Sequence, residues 1–233
     1  MSDSPPSPPT PFATLYTTPS LLHAHATKAL AAAALNALPI TVPPDFAYGT
    51  TNRTPAFFAK FPMGKIPALE TATGFCVAEA SAIAHYLADS GPKRLQLLGR
   101  TSEERALVQM WMSLADSEIF PGMGAVLGPM MGTVAYDEGV VAAGEAAYLR
   151  AVRPVEGHLK RNEGRGAEWL VGGEGPSLAD LSVAAGLFWP FKFLLDGSAR
   201  AEFPETVGWY TRLLDVEEVR KGFGGPPQFC EKR

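Results

Sequence analysis

Four hydroxyl side chains cluster where a short apolar run gives way to a helix near the start of the chain. Tyr16 and Thr17 end a segment of strand composition, and Thr18 and Ser20 lie in the turn that follows, with Ser20 four residues after Tyr16. Hydroxyl groups donate hydrogen bonds, and a helix N-terminus adds a partial positive charge, so this junction can stabilise an anion. No cysteine lies in the turn, which argues against thiol exchange through a protein sulfur.

Composition places the chain among folded globular proteins and disfavours two classes of partner. The 233 residues carry 20 Lys and Arg against 24 Asp and Glu, a net charge of −4. Because binding to nucleic acid requires clustered basic residues, we expect no nucleic-acid partner. The longest apolar stretches fall short of the roughly 20 residues of a membrane span, so we expect no membrane insertion.

The cysteines and the first residues indicate a cytoplasmic protein. Cys76 and Cys230 form no CxxC pair, so we expect no bound metal, and two isolated thiols fit a reducing compartment. Residues 1–11 contain five prolines and no basic residue. They predict a flexible arm rather than a signal peptide.

Residues 12–91 alternate short strand patterns with helical ones, which predicts an α/β domain. A turn containing Gly74 joins two short apolar runs, as in a hairpin. The predicted order is a strand at Phe12–Thr17, a helix at Leu21–Leu38, a strand at Pro39–Pro43, a helix capped by 52–55, a hairpin within 66–78 and a helix at Glu79–Ala88.

Strand patterns disappear after residue 91, so residues 92–100 are predicted to link the α/β domain to an all-helical domain of residues 101–233. The spacing of Leu107, Met110, Trp111 and Leu114 predicts one buried helical stripe. Further helices are predicted at Asp137–Arg161, from Ser177 to about Leu195 with Asp180 completing a capping box, and at Pro204–Leu214.

An ordered series of motifs resembles the cytosolic glutathione transferase superfamily, and most closely the transferase-like domain of translation elongation factor 1B gamma. The resemblance implies a thioredoxin-like N-terminal domain followed by an all-α domain. Its motifs are Asn52-Arg53-Thr54-Pro55, Gly64-Lys65-Ile66-Pro67-Ala68-Leu69, Gly74-Phe75-Cys76-Val77, Glu79-Ala80-Ser81-Ala82-Ile83, Ala115-Asp116-Ser117-Glu118-Ile119, Trp169-Leu170-Val171-Gly172 and Ser177-Leu178-Ala179-Asp180.

Two departures separate the chain from the elongation-factor subunit. The family's motif after the hairpin has Ser directly after Glu, whereas this chain has Ala80. The elongation-factor subunit also carries a further C-terminal domain, whereas this sequence ends at Arg233. We therefore expect a stand-alone relative with small-molecule chemistry.

The resemblance implies glutathione as the cofactor and a hydroxyl as the activator of its thiol. Ser20 is the favoured catalytic residue, with Thr18 and Tyr16 as further candidates. The structural alternative is that Tyr16 only packs in the sheet and Ser20 only caps the helix.

Six residues are implied in glutathione binding. A cis peptide between Ile66 and Pro67 would expose the Ile66 backbone to the cysteinyl unit, and Lys65 would meet the glycine carboxylate, unless it is only a solvated lysine. Glu79 and the amides of Ala80 and Ser81 would hold the γ-glutamyl group, unless Glu79 serves only at the helix start. Ala80 lacks one donor, so binding is expected to be weaker unless Ser81 compensates.

The electrophilic substrate would lie between the two domains, against Trp111, Phe120 and Met123, although an ordinary core position is the favoured interpretation for any single one of them. The first hypothesis is a glutathione-dependent transferase or isomerase acting on an unsaturated small molecule, as in secondary metabolism. The second is a non-catalytic, elongation factor 1B gamma-like interaction module or dimeric scaffold. A homodimer is implied by the resemblance.

Overall fold

The computed structural model describes residues 11–19 and 23–231, which form an α/β half followed by a helical half. Residues 1–10, where most of the predicted arm lies, are outside the described residues. The α/β half contains β1 (Ala13–Tyr16), α1 (Ala24–Leu35), β2 (Ile40–Thr41), a 3-10 turn (Thr51–Arg53), α2 (Pro55–Lys60), β3 (Ala68–Thr71), β4 (Cys76–Ala78) and α3 (Ala80–Asp89).

The four strands form one mixed sheet in the order β2-β1-β3-β4. β1 pairs with β2 in parallel and with β3 antiparallel, and β3 pairs with β4 as the predicted hairpin. Ala13 and Leu15 of β1 are buried in the main core, while Tyr16 packs against a smaller aromatic cluster. The sheet therefore separates α1 and α3, which contact each other, from α2 on its other face.

Local chemistry explains where the helices beside the sheet begin. The hydroxyl of Thr54 accepts a hydrogen bond from the amide of Phe57, and Pro55 occupies the first turn of α2, as the sequence predicted. α1 is rich in alanine, and its small side chains let neighbouring helices approach closely. One of these neighbours is the helix near the C-terminus that ends at Gly222, where an added Cβ would overlap the backbone of Ala31 in α1.

Residues 92–100, which the sequence predicted to be a linker, contain a short helix at the start of the helical half. The elements of this half are α4 (Arg94–Leu98), α5 (Ser102–Leu114), α6 (Phe120–Met130), α7 (Glu138–Glu163), α8 (Leu178–Phe193), α9 (Gly197–Arg200), α10 (Pro204–Asp215) and α11 (Glu217–Gly222). Among the described residues, no helix combines the length and apolarity needed to cross a membrane.

A π-helical turn, Ala115–Ile119, joins α5 to α6, so residues 102–130 form one nearly continuous helix. Its buried face differs from the predicted stripe. Trp111 is buried as predicted, but Leu107 and Met110 are exposed by 39 % and 48 %. The burial prediction for these two was wrong, because α5 packs on α8 and its buried face carries Val108, Trp111 and Met112.

The centre of the helical half is α8, which is apolar around its circumference and almost entirely buried. Asp180 accepts hydrogen bonds from the amide and hydroxyl of Ser177, in the place where the sequence predicted a capping box. Its other oxygen accepts from the amide of Leu170 and the indole of Trp209, at 2.9 Å each. Asp180 is therefore a fully satisfied structural carboxylate.

Candidate functional site

The hydroxyl of Tyr16 faces away from the junction in which the sequence placed it. It donates a 2.8 Å hydrogen bond to Glu70, and its ring packs edge-on against Phe57 and Phe61. Burial and the neighbouring Glu70 raise the pKa of Tyr16 to about 12. Tyr16 is therefore placed as a sheet residue of the aromatic cluster, which corrects its assignment to the catalytic group.

The remaining junction hydroxyls differ in what the structure describes. Thr17 is buried, and its Oγ1 has no hydrogen-bond partner. Thr18 is half-buried and already engaged in an interaction. Ser20, the favoured thiol activator, lies outside the described residues together with residues 21–22.

The edge of β3 has the backbone geometry that the sequence predicted. The Ile66–Pro67 peptide is cis. Among the described residues, neither the amide nor the carbonyl of Ile66 is paired in a backbone hydrogen bond. This edge is thus open to an extended ligand, and Lys65 precedes it with an exposed side chain.

The start of α3 is an uncapped helix N-terminus. Glu79 occupies the N-cap with φ of 69°, a left-handed conformation that L-residues other than Asn and Asp rarely adopt, and its side chain makes no capping hydrogen bond. The amides of Ala80 and Ser81 lie in the first turn, where no intrahelical acceptor is available. The strained backbone and the unpaired amides mark a position suited to an anionic ligand group.

These features line one cleft of about 260 Å³. The cleft brings together Lys65, Ile66, Pro67, Glu79 and Ala80, five of the six residues assigned to glutathione binding. Its other walls are largely apolar and are formed by Phe61, Pro62, Met63, Ala78 and His25. Apart from Ser81, the residues assigned to glutathione binding from separate sequence motifs thus share a single cavity.

His25 was not assigned to the site from sequence, yet it forms part of the cleft wall. It lies in the first turn of α1 and stacks on Phe120 of α6, with ring centroids 3.9 Å apart and planes 18° apart. Burial, with smaller contributions from His23 and Lys28, lowers the pKa of His25 to about 4. The imidazole is therefore neutral at physiological pH.

Ser81 is committed to a network between the two halves instead of to the cleft. Its hydroxyl accepts a 2.7 Å hydrogen bond from Lys28 of α1 and donates a short one to Asp116 in the π-helical turn. Lys28 also bridges Asp116 at 2.8 Å. The Ser81 hydroxyl is therefore engaged elsewhere and does not compensate for the donor that Ala80 lacks; the Ser81 amide remains in the first turn.

Sequence reasoning also missed the ion pair between Lys28 and Asp116. Lys28 is fully buried, whereas the Asp116 side chain keeps 41 % of its exposure. Burial lowers the pKa of Lys28, and Asp116 opposes this effect. The available signal was the charge itself, because Lys28 is the only basic residue other than His25 in the alanine-rich α1.

The predicted substrate pocket is only partly assembled. Trp111 is buried in the core with its ring edge against His158, and Met123 is also buried in the core. Neither lines the cleft, and their burial fits the alternative that they are ordinary core residues. Phe120 is buried too, but it supports the cleft from behind through its stack on His25.

Family comparison covers both halves of the chain. Residues 12–89 match the family described as "Glutathione S-transferase, N-terminal domain", and residues 119–217 match "Glutathione S-transferase, C-terminal domain". A "Glutathione S-transferase-like protein" of Aspergillus aculeatus is 42% identical over 200 residues, covering 85% of this chain and 92% of that protein.

Two further comparisons bear on the same fold. Elongation factor 1-gamma of Equus caballus is 36% identical over 222 residues; the match covers 94% of this chain but only 48% of that protein. The glutathione transferase URE2P6 from Phanerochaete chrysosporium, solved in complex with oxidized glutathione, superposes with a TM-score of 0.80 at 24% identity, covering 92% of this chain and 96% of that one. At this identity the structural match establishes the fold alone.

Proposed function

The chain belongs to the glutathione S-transferase family, and from this premise we propose that it binds glutathione in the cleft and uses the thiolate on an electrophilic, unsaturated small molecule. The observation that carries the proposal is the convergence of the open Ile66 edge, the uncapped α3 N-terminus and Lys65 in one cavity. Each of these features matches a different group of the tripeptide.

Charge complementarity supports the assignment. Glutathione at neutral pH has two carboxylates and one ammonium group. The cleft offers two positive sites, the Lys65 ammonium and the α3 N-terminus, and one carboxylate, Glu79. We place the glycine carboxylate near Lys65 and the γ-glutamyl group near Glu79 and the Ala80 and Ser81 amides, so that every ionic group has a partner of opposite sign.

The peptide portion of the ligand is satisfied by the sheet edge. Because the cis bond to Pro67 leaves the Ile66 amide and carbonyl unpaired, the cysteinyl unit can add to β3 as a short strand would. Such pairing fixes the position of the sulfur without a side-chain contact. The sulfur is thereby held beside the N-terminal end of α1, where His25 lies.

Affinity is expected to be lower than in relatives that have Ser after the helix-start Glu. Ala80 supplies no hydroxyl, and the Ser81 hydroxyl is held by Lys28 and Asp116. One missing hydrogen bond to a charged ligand group corresponds to about 1.5–3 kcal/mol, or roughly tenfold to hundredfold in the dissociation constant.

When bound, glutathione supplies a thiolate that adds to the electrophilic carbon. If the new carbon–sulfur bond is kept, the result is conjugation. If glutathione is later eliminated after rotation about the carbon–carbon bond, the result is isomerisation of the double bond. The chain's part is to lower the thiol pKa, which is about 8.5 in a free thiol, and to exclude water from the reacting atoms. Phe61, Pro62 and Met63 provide an apolar wall for an unsaturated substrate, such as a compound of secondary metabolism.

Isothermal titration calorimetry with glutathione tests the proposal. We expect saturable heat, at least tenfold weaker binding in Lys65→Met and Glu79→Gln, and tighter binding in Ala80→Ser. Lys93→Met is the matched control, because Lys93 is exposed and does not line the cleft. The absence of heat at millimolar glutathione in the unmodified protein would refute the proposal.

The second candidate is a non-catalytic interaction module like elongation factor 1-gamma. The similarity over 222 residues and the loss of a donor at Ala80 favour it, although the chain spans about half the length of that relative. If the second candidate is right, we expect the protein to co-purify with the nucleotide-exchange subunit of elongation factor 1B and to show no binding of glutathione.

We also propose that the chain forms a homodimer. The exposed apolar side chains of Phe75 on the hairpin and of Leu107 and Met110 on α5 provide apolar surface for such a contact. Sedimentation equilibrium is expected to give twice the mass of the 24.8 kDa chain. Phe75→Asp shifts the equilibrium toward the monomer if the hairpin belongs to the interface, and a monomeric unmodified chain contradicts the proposal.

A further inference from the structure

We propose that His25 is a further catalytic residue of the cleft, whose neutral imidazole donates an N–H hydrogen bond to the sulfur of glutathione as the thiol loses its proton to solvent. The inference rests on the proposed function and deepens it by naming a thiolate donor on α1. It follows from the position, orientation and hydrogen bonding of the ring.

Position is the first argument. His25 lines the same cavity as the Ile66–Pro67 edge and the start of α3. The cysteinyl unit that pairs with Ile66 must direct its short side chain into this cavity. Because His25 forms part of the wall of this cleft of about 260 Å³, a side chain directed into the cleft approaches the ring.

Orientation is the second argument. The imidazole is held face-to-face on Phe120, with its plane fixed by a 3.9 Å stack between two elements of different domains. Stacking leaves the ring edge, which carries both nitrogens, free to make hydrogen bonds. Such a donor is preorganised, so it needs little rearrangement when negative charge develops on sulfur.

Free hydrogen-bonding capacity is the third argument. Within the described part of the chain, neither ring nitrogen of His25 has a hydrogen-bond partner. A half-buried polar ring without partners is costly in a folded protein unless water or a ligand satisfies it. The ring is neutral, so one nitrogen carries a proton that can be donated.

The charged and titratable groups around His25 support a donor rather than a proton acceptor. His23 lies next to it with ring centroids 5.5 Å apart, Lys28 lies one turn along α1, and Asp116 faces it from the π-helical turn. A weakly basic imidazole is a poor acceptor for a thiol proton, whereas the neutral ring still carries an N–H that can donate a hydrogen bond. The proton of the thiol therefore leaves to water, and the thiolate accepts from His25.

The test is the ionisation of bound glutathione, measured by the ultraviolet absorbance of the thiolate in the binary complex as a function of pH. His25→Phe keeps the stack on Phe120 and removes the donor. We expect the thiolate fraction at pH 7 to fall by about tenfold or more, since a hydrogen bond to a charged group shifts an ionisation equilibrium by that amount. His25→Gln, which retains an N–H donor, should restore most of it and serves if the Phe variant fails to fold.

Affinity for S-methylglutathione separates this inference from the proposed function, because that ligand has no ionisable thiol. We expect His25→Phe to bind it within about twofold of the unmodified protein. An unchanged thiolate fraction in both His25 variants that still bind glutathione would overturn the role of His25 and leave the proposed function standing. Failure of the unmodified protein to bind either ligand would overturn both.

Discussion

The ion pair between the two halves of the molecule provides the sharpest test of the energetics. Lys28 is buried without any exposed surface, whereas the side chain of Asp116 retains 41 % of its exposure. Removing the carboxylate by Asp116→Asn leaves a buried cation whose remaining contacts in the described structure are the Ser81 hydroxyl and the face of the Phe120 ring. Removing the cation by Lys28→Met leaves a carboxylate that water can still reach and that Ser81 still contacts.

The two substitutions should therefore differ in their effect on the free energy of unfolding. An uncompensated buried charge costs about 3–5 kcal/mol, and we expect Asp116→Asn to lie near the lower end because solvent reaches part of the site. Lys28→Met preserves the apolar stem and should cost only about 1 kcal/mol. For a chain of this length, about 3 kcal/mol corresponds to a fall of roughly 6–12 °C in the melting temperature.

The pH dependence of the Asp116→Asn effect is determined by Lys28. Burial lowers the pKa of Lys28 below its usual 10.5, so in the alkaline range the unfolded chain binds more protons than the folded one and stability rises with pH. Asp116→Asn removes the carboxylate that opposes this effect, so it lowers the pKa of Lys28 in the folded protein further. It thereby widens the pH range over which stability rises with pH. The destabilisation should thus be largest near neutral pH and shrink as the pH approaches about 10.

Urea unfolding of the two single variants and the Lys28→Met/Asp116→Asn double variant forms a double-mutant cycle at pH 7. We expect the double variant to be more stable than Asp116→Asn alone, because the buried cation has been removed together with its partner. Glu217→Gln is the control, since it breaks the exposed pair with Lys221 and should leave the midpoint unchanged. Equal costs for the two single substitutions, or additive effects in the cycle, would refute the reasoning.

Four further outcomes follow from individual contacts. Gly222→Ala should destabilise the fold by about 1–3 kcal/mol in thermal unfolding, because the added Cβ overlaps the Ala31 backbone, whereas Gly208→Ala, with open space at its Cβ, should not. Asp180→Ala should cost about 3 kcal/mol or more in urea unfolding, because it orphans the Leu170 amide and the Trp209 indole; a loss below 1 kcal/mol would contradict this. Tyr16→Phe should abolish a spectroscopic tyrosine ionisation near pH 12 without changing the thiolate fraction of bound glutathione, and a changed fraction would return Tyr16 to the site. Because the pKa of His25 is lowered to about 4, the folded protein should lose stability as the pH falls from 6.5 through 4, and His25→Phe should remove about 2–3 kcal/mol of that loss, as measured by urea unfolding at each pH.

Backbone features of the candidate site could be predicted because they depend on short stretches of chain. The proline at position 67 and the motif around it implied the cis bond, and the Glu79-Ala80-Ser81 segment implied the start of α3. Thr54 and Pro55 predicted the start of α2, since capping involves residues within one turn of each other. Five of the six predicted binding residues therefore reached the cleft.

The burial and contacts of individual side chains could not be predicted from the sequence. Trp111 and Met123 were assigned to the substrate pocket on residue type, but packing of α5 and α6 on the rest of the helical half buries both. Ser81 has the right position along the chain for the cleft, but a lysine 53 residues earlier and an aspartate 35 residues later hold its hydroxyl. Contacts at such separations depend on helix placement, which no local pattern encodes.

By itself, the amino-acid sequence determined the order of the α/β and helical halves and the helix near Ala80, because turn chemistry and periodicity act over a few residues; the open edge at Ile66 was implied by the resemblance of its motif to a known family. Only the tertiary structure decided that Tyr16 bonds to Glu70, that Lys28 and Asp116 link the domains and that His25 faces the cleft. Those outcomes follow from which faces of distant elements pack together, and the burial of a charge or a ring edge is defined only once they have packed.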